Sequence, residues 1–168
     1  MAHAAAGLAA AVGGGFDLAI RVGRLPESRL VARKLARGHR VICAAPAYWA
    51  RHPKPLTPAD LAAHECLLWN TDGRNEATWT FGTEAVRVSG RRSSNDGELV
   101  RTWALAGLGV VRKSWWDVAA DLAAGRLEPA LASFVEPADL YAVFPGGRDL
   151  PQRLRCLVDH LAVGLRTA

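Results

Sequence analysis

The sequence predicts a chain of the α/β class, and three patterns support that class. Residues 16–22 alternate in polarity with the period of two that a strand requires. Residues 151–165 have the spacing of an amphipathic helix, with four side chains expected to face inward: Leu154, Leu157, Val158 and Leu161. Between them, segments typical of strands and of helices follow one another, which is the order of an α/β sheet architecture. Half of the 168 residues are hydrophobic, so a buried core in one domain or two small lobes is feasible.

The first third of the chain predicts three strands and two short helices. The strands are expected over residues 16–22, 30–35 and 40–45. The first of them has one apolar face, formed by Leu18, Ile20 and Val22. It ends in a loop at Gly23, and the other two surround a turn at Gly38. Short helices follow over residues 46–51 and from Thr57, where a side-chain N-cap precedes a proline at the first helical position.

The rest of the chain predicts further strands and a better defined helix. Short strands are expected over residues 66–69, 78–81 and 86–89. The last two form a hairpin through Gly82. A helix begins at Ser94 or Asn95 and stops at Gly107. The remaining elements are a strand at Val110 and Val111, a helix over 115–123, a strand over 140–144 and the final helix.

The charge of the chain is positive but scattered. A net charge of +5 and a pI near 9.6 are compatible with binding to nucleic acid, which needs clustered Lys and Arg. The basic residues are instead distributed singly or in pairs, such as Arg91 and Arg92. A solvated surface is therefore the preferred interpretation.

No enzyme motif and no metal-ligand spacing is present in the sequence. Gly107-Leu108-Gly109 begins a G-x-G pattern, but Arg112 replaces the third glycine of a dinucleotide-binding loop. The five histidines are isolated and are each expected at a surface or interface. The three cysteines are Cys43, Cys66 and Cys156, and they are expected to be buried, reduced thiols of a cytoplasmic protein. We therefore predict no catalytic residues, no metal and no cofactor.

The opening of the central helix, from Ser93 to Gly97, is the most informative polar site. Its ordinary interpretation is an N-cap. Its functional interpretation is an anion site, because hydroxyl, amide and backbone N–H groups meet at the positive end of a helix. Asp96 weakens that second interpretation, since its carboxylate already uses part of the helix-end field. Trp69, Trp115 and Trp116 are interpreted as core residues or as stacking surfaces for a ligand.

Five segments in this order resemble the C-terminal ligand domain of LysR-type transcriptional regulators. They are FDLAIRVG at residues 16–23, LVARKLARGHRVICAAPAYWARHPKPLTPADLAAHECLL at 30–68, SSNDGELVRTWALAGLGVV at 93–111, WDVAADLAAGRL at 116–127, and LYAVFPGGRDLPQRLRCLVDHLAVGL at 140–165. The resemblance covers about residues 16–165. It implies an effector sensor, with a fold similar to the type 2 periplasmic binding proteins.

The resemblance also implies a domain organisation. Two α/β lobes hold a ligand in the cleft between them. The first lobe is expected over residues 16–41 and 138–168, the second over residues 42–137. Residues 1–15 are read as a flexible leader in place of the family's opening strand, helix and strand, so the first lobe is expected to be incomplete.

The same resemblance implies site residues and partners. The expected effector contacts are Arg21, Gly23, Ser94, Asn95, Asp96, Arg112 and Ser114. The expected effector is a small organic anion, with Arg21 pairing its charge. Full-length relatives are expected to form homo-oligomers on DNA. This chain alone is expected to bind neither DNA, since it lacks the winged helix-turn-helix, nor a membrane.

Three other interpretations stay open. One is a truncated gene product that cannot bind DNA. Another is a periplasmic solute-binding protein with the same fold, which the absence of a recognisable signal peptide disfavours. The last is an enzyme on that fold, such as a relative of porphobilinogen deaminase or a prephenate dehydratase, for which the sequence offers no catalytic constellation.

Overall fold

The computed structural model describes residues 16–23, 25, 30–71, 73–134, 136–146 and 150–165. The chain divides into two compact units, residues 1–38 with 137–168 and residues 39–136. The predicted leader, residues 1–15, lies outside the described residues, as does most of the loop after Gly23. The lobe boundaries expected from sequence lie close to the unit boundaries and stay a prediction. Within the described ranges, no helix has the length and apolar character needed to cross a membrane.

Strands and helices are mixed along the chain, as expected for the α/β class. The strands are β1 (Ala19–Val22), β2 (Leu30–Ala36), β3 (Arg40–Ala44), β4 (Cys66–Thr71), β5 (Arg74–Asn75), β6 (Thr78–Phe81), β7 (Glu84–Arg87), β8 (Arg92–Ser94), β9 (Val110–Ser114), β10 (Glu128–Ala130) and β11 (Leu140–Pro145). The helices are α1 (Pro46–Trp49), a 3-10 helix (Pro58–Ala63), α2 (Gly97–Leu105), α3 (Trp115–Ala123) and α4 (Gln152–Gly164).

The described part of the first unit consists of a three-stranded antiparallel sheet and helix α4. The strand order is β1, β11, β2, so β11 has a neighbour on each side. This central position accounts for the nearly continuous apolar run of β11, in which Ala142 and Val143 are fully buried. Helix α4 packs against β2, where Arg33 pairs with Asp159 at 2.5 Å.

Two predictions about the first unit are wrong. Leu157 was expected to face inward on the last helix, but it is 44% exposed, and Val158 and Ala162 are the buried positions of α4. Cys156 was expected to be buried and is exposed. Ile20, on the apolar face of β1, is 44% exposed.

The second unit is built on a larger mixed sheet. Its strand order is β10, β3, β9, β4, β5, and β8 also pairs with β4. Strands β4, β8 and β9 run parallel to one another, and β3 and β10 are antiparallel to their neighbours. Strands β6 and β7 form a separate hairpin through Gly82, as the sequence predicted.

The two faces of this sheet carry separate parts of the core. On one face Ile42, Leu68 and Val110 pack with the aromatic side chains of α1 and of the β6 to β7 hairpin. On the other face Val41, Leu67 and Val111 pack against helices α2 and α3. The alternation of two along each strand divides its residues between the faces, which is why these strands read as continuous apolar runs.

Two glycines allow the backbone to approach the start of β4 closely. A Cβ atom on Gly90 would lie 1.7 Å from the carbonyl oxygen of Cys66, and one on Gly109 would lie 2.4 Å from that of Glu65. No side chain fits at either distance. Glycine therefore lets β8 and β9 enter the sheet on the two sides of β4.

Several elements differ from their sequence-based prediction. The central helix begins at Gly97 with Asp96 as its N-cap, because Ser94 belongs to β8. The helix expected from Thr57 is a 3-10 helix. The strand expected over 86–89 lies two residues earlier, at Glu84–Arg87. The sequence predicted neither β5, β8 nor β10, whose two or three residues carry too little periodic pattern.

The second unit begins and ends at neighbouring points of the backbone. The N–H of Arg40 donates to the carbonyl oxygen of Glu136 at 2.8 Å. Just outside this unit, the N–H of Ala138 donates to the carbonyl oxygen of Gly38, also at 2.8 Å. The segments that lead into and out of residues 39–136 are thus held side by side.

Candidate functional site

Polar and aromatic side chains gather at one edge of the sheet in the second unit. Parallel strands direct their carboxyl ends to the same edge, and this edge is where open α/β sheets commonly bind ligands. Near the carboxyl ends of β4, β8 and β9 lie Trp69, Ser94, Arg112, Lys113 and Ser114. Three of the predicted effector contacts are therefore at one edge of one sheet.

The predicted anion site at the start of α2 is occupied by the protein's own carboxylate. Asp96 Oδ1 accepts from the N–H groups of Glu98 at 2.9 Å and Leu99 at 3.3 Å. Ser94 Oγ accepts from the N–H of Asp96 at 3.0 Å, and Asn95 is exposed beside it. The ordinary interpretation, an N-cap, accounts for this helix end.

Lys113 and Trp69 also lie against the start of α2. A Cβ atom on Gly97 would be 3.0 Å from the Trp69 ring and 3.1 Å from Lys113 Nζ. The Lys113 ammonium group donates to the carbonyl oxygen of Gly97 at 3.3 Å and pairs with Asp117 at 3.0 Å. Trp69 keeps 37% of its surface exposed. The sequence did not single out Lys113, because a lone lysine in a strand has no pattern of its own.

Arg112 points to the opposite face of the sheet and has acidic partners there. Its guanidinium group donates to Glu136 at 3.2 Å, lies 3.7 Å from a Glu76 carboxylate oxygen, and sits 6.0 Å above the centre of the Trp79 ring. Burial lowers the pKa of Arg112, and the positive charge of Arg40 acts in the same direction. Because its charge is already compensated by two carboxylates, Arg112 is a weaker anion receptor than its sequence position suggested.

Ser114 and Trp116 carry buried donors at the start of α3. Ser114 is 1% exposed and is the N-cap of α3, yet its side chain makes no capping hydrogen bond. Among the described residues, the buried side-chain nitrogen and oxygen atoms without a hydrogen-bond partner are Ser114 Oγ and Trp116 Nε1. Arg40 lies opposite Ser114 in the register of β3 and β9. Buried polar groups normally have partners, so this pair is the most unusual feature of the second unit.

The predicted contacts in the first unit are Arg21 and Gly23. Arg21 lies exposed in β1, in register with Tyr141 of β11. Gly23 is buried, has a φ of 88°, and donates its N–H to the carbonyl oxygen of Asp139 at 2.9 Å. A positive φ explains why glycine stands at the end of this strand. Their role as effector contacts stays a prediction.

Polar donors at the carboxyl ends of parallel strands, as in the second unit, are typical of a ligand-binding domain. Among the described residues, no three His, Cys, Asp or Glu side chains are placed to hold a metal ion. Residues 2–165 match the family described as the LysR substrate binding domain. The chain belongs to this family, and the family assignment made from the sequence is confirmed.

The chain is similar to bacterial transcriptional regulators. The chain is 36% identical over 151 residues to the HTH-type transcriptional regulator DmlR of Escherichia coli (strain K12), covering 88% of this chain and 49% of that protein. It is 34% identical over 151 residues to the HTH-type transcriptional activator TtdR of the same strain, with the same coverage. The chain thus spans about half the length of these relatives. They are regulators and not enzymes, which agrees with the prediction from sequence.

Solved structures support the same fold. The regulatory domain of CrgA, a LysR-type transcriptional regulator from Neisseria meningitidis, superposes with a TM-score of 0.77 at 31% identity, covering 92% of this chain and 78% of that chain. The regulatory domain of AphB from Vibrio vulnificus gives a TM-score of 0.65 at 27% identity, over 90% of this chain and 75% of that one. The predicted fold, similar to the type 2 periplasmic binding proteins, is confirmed.

Proposed function

We propose that this domain senses a small carboxylate metabolite for a transcriptional regulator, and that the start of α3 binds the carboxylate. The side-chain donors are the hydroxyl of Ser114 and the indole N–H of Trp116. In the full-length regulator, effector binding changes the oligomer that is bound to DNA. The proposal includes a cytoplasmic location, because a bacterial regulator has to reach the chromosome.

The pair of unsatisfied donors is the observation that carries this proposal. Burying a donor without a partner costs about 1–3 kcal/mol, so each of these donors, two residues apart in the chain, favours an occupant that accepts its hydrogen. A carboxylate is such an occupant, since its two oxygens accept several hydrogen bonds and donate none. Hydrogen bonds to an ionised group are also stronger than those between neutral groups.

The charges around α3 favour an anion over a neutral acceptor. The N–H groups of the first turn carry the positive end of the helix dipole. Arg40, opposite Ser114 in the sheet, adds a positive charge on the neighbouring strand. At the start of α2, by contrast, the Asp96 carboxylate already accepts the helix N–H groups. The start of α3 carries a carboxylate too, that of Asp117, but this one is paired with Lys113 at 3.0 Å. Of these two helix starts, α3 is therefore the better anion site.

The other predicted contacts form a second, weaker part of the proposal. Arg21 and Gly23 of the first unit are kept as effector contacts on the resemblance to the family alone. Ser94, Asn95 and Asp96 are kept as residues that shape the site, because Asp96 fixes the start of α2. Arg112 is kept as a weaker effector contact, because its guanidinium group already donates to Glu136.

The test is thermal unfolding of the chain with a panel of small aliphatic and aromatic carboxylates. A ligand that binds only the folded state raises stability by RT ln(1 + [L]/Kd), so a stabilising compound identifies the effector class. In Ser114→Ala we expect the affinity for that compound to fall by about 10-fold to 150-fold, which corresponds to one hydrogen bond to a charged group.

Ser93→Ala is the matched control, because Ser93 is an exposed serine of the neighbouring strand β8. It should bind the compound as the wild-type chain does. Neither variant should unfold much more readily, since Ser114 Oγ bonds to no described residue. The proposal is wrong if no carboxylate stabilises the chain, or if the two variants bind the stabilising compound equally well.

A further inference from the structure

His64 is a buried histidine that the sequence did not identify. All five histidines were expected at a surface or interface, yet His64 is 8% exposed, between the 3-10 helix and β4. Its ring makes edge contact with Trp49, with ring centres 5.7 Å apart. Its Nδ1 atom lies 3.2 Å from the hydroxyl oxygen of Tyr48, and this contact is buried.

The surrounding hydrogen bonds indicate which group donates. The Tyr48 hydroxyl oxygen accepts from the N–H of Glu65 at 3.1 Å. Its own hydrogen is then satisfied by His64 Nδ1, which has to be unprotonated to accept it. Burial raises the pKa of Tyr48, so the hydroxyl keeps its proton at neutral pH. A neutral His64 ring therefore completes the pattern.

We propose that the Tyr48 to His64 hydrogen bond is a pH-sensitive latch, which joins α1 to the start of β4 while His64 is neutral and opens when His64 gains a proton. A protonated ring has N–H groups at both nitrogens, so Nδ1 no longer accepts from Tyr48, and the hydroxyl hydrogen of Tyr48 is left buried without its acceptor. The charged ring is also poorly solvated in its buried position. Both effects favour the open form at low pH. This inference does not depend on the effector.

The charged groups facing His64 act in opposite directions. Burial lowers the pKa of His64 below its ordinary 6.5, the neighbouring His52 lowers it further, and Asp60 of the 3-10 helix raises it. His52 stacks on Tyr48 with ring centres 4.5 Å apart and lies 6.3 Å from His64. A positive charge on His52 therefore disfavours a second positive charge on His64.

The remaining charges near the latch have partners of their own. Arg51, after α1, donates to the carbonyl oxygen of Gly107 at 3.0 Å. The Glu65 carboxylate accepts from the N–H of Arg91 at 2.8 Å and lies 3.5 Å from the guanidinium of Arg92. None of these groups is placed to replace the hydrogen bond that His64 loses on protonation.

The latch lies where three strands meet. The residue after His64 is Glu65, whose carbonyl oxygen accepts from the N–H of Val110 at the start of β9. Its carboxylate holds the start of β8 through Arg91. Opening of the latch releases the residue that joins the amino ends of β4, β8 and β9, so we expect it to lower the stability of the whole second unit.

The sign of the pH effect follows from the lowered pKa. His64 takes up a proton at a higher pH in the unfolded chain than in the folded chain. The stabilisation is fully present above pH 6.5 and is lost as the pH falls through the folded pKa of His64. Over that range, unfolding takes up as much as about one additional proton per chain.

The experiment is urea unfolding of the intact chain between about pH 7.5 and about pH 5, the range in which histidine titrates. The midpoint of the wild-type chain should fall below pH 6.5. In His64→Asn the midpoint should fall less, because an asparagine oxygen still accepts from Tyr48 but takes up no proton. His160→Asn, at an exposed position of α4, is the matched control and should behave as the wild type.

Titration of the His64 ring by NMR in the wild-type chain tests the latch even if a variant does not fold. The ring should titrate below 6.5, and Tyr48→Phe should move its midpoint upward because the neutral ring loses its hydrogen bond. A midpoint at or above 6.5 in the wild type overturns the proposal. So does a pH dependence of unfolding that is the same in His64→Asn as in the wild type.

Discussion

The fully buried carboxylate of Asp121 gives the sharpest stability prediction. It lies on α3 with 0% of its residue surface exposed. Its Oδ2 atom accepts from Arg101 Nε at 2.6 Å, and its Oδ1 atom accepts from Arg126 Nε at 2.8 Å. Asp121 thus connects α2, α3 and the turn after α3. Asp121→Ala removes the shared acceptor and leaves both guanidinium groups in place.

The magnitude follows from how exposed the two arginines are. Removing one partner of a buried ion pair costs about 3–5 kcal/mol when the other charge stays buried. The side chain of Arg126 is 54% exposed and that of Arg101 is 23% exposed, so both regain some water after the substitution. We therefore expect Asp121→Ala to lower the free energy of unfolding by about 3 kcal/mol, the lower end of that range.

Urea unfolding followed by tryptophan fluorescence measures this loss. With a slope of about 1–3 kcal/mol per molar urea, the midpoint should fall by about 1 M or more. Asp159→Ala is the control, because Asp159 pairs with Arg33 on the surface and such pairs contribute about 1 kcal/mol at most. Equal losses in the two variants would refute the assignment of Asp121 as a buried structural charge.

The Asp121 carboxylate should also make the stability of the chain depend on acidic pH. The hydrogen bond from Arg101 lowers the pKa of Asp121 below its ordinary 3.8, despite the opposing effect of burial. Its stabilisation is therefore present above pH 3.8 and is lost as the pH falls through the lowered pKa. Between these two pH values, Asp121→Ala should lose less stability with falling pH than the wild type does.

Three other predictions can be checked on the same protein. Gly90→Ala should lower the free energy of unfolding by about 1–3 kcal/mol or more, since its Cβ would lie 1.7 Å from the Cys66 carbonyl oxygen. Gly164→Ala is the control and should leave that free energy nearly unchanged, because open space surrounds Gly164. Equal losses of stability in the two variants would contradict the close approach at Gly90. A thiol reagent should modify the exposed Cys156 first, because burial raises the pKa of both buried thiols to about 12; mass spectrometry identifies the site. Asp96→Ala should cost about 0.5–2 kcal/mol through loss of its N-cap, measured by urea unfolding, and no loss would contradict the cap.

Most of the fold could be predicted from periodicity. The helix over 115–123 and the strand over 78–81 have the bounds that the sequence indicated, because each has a clear polarity pattern and a clear stop signal. The hairpin at Gly82 follows from local turn chemistry alone. Patterns of this kind are local, so they can be read without knowing which strands pair.

The bounds of several elements and the identity of the site residues depend on tertiary contacts, which the sequence does not show. Ser94 is in β8 because β4 supplies a parallel partner, and no local pattern in three residues shows this. Ser114 and His64 have ordinary local sequences, and only packing buries one without a hydrogen-bond partner and the other against Tyr48. Arg112 was predicted by position, but Glu136, far along the chain from it, compensates its charge.

The adjacent entry and exit of the second unit have a consequence for protein engineering and for evolution. Because Arg40 and Glu136 are hydrogen-bonded through their backbones, residues 39–136 form an insert whose two ends already meet. We expect such an insert to fold by itself when it is excised, because it has its own buried core. The flanking bond from Ala138 to Gly38 equally marks where a short connector would rejoin the host sequence. The chain therefore has a natural site for exchanging one sensor module for another.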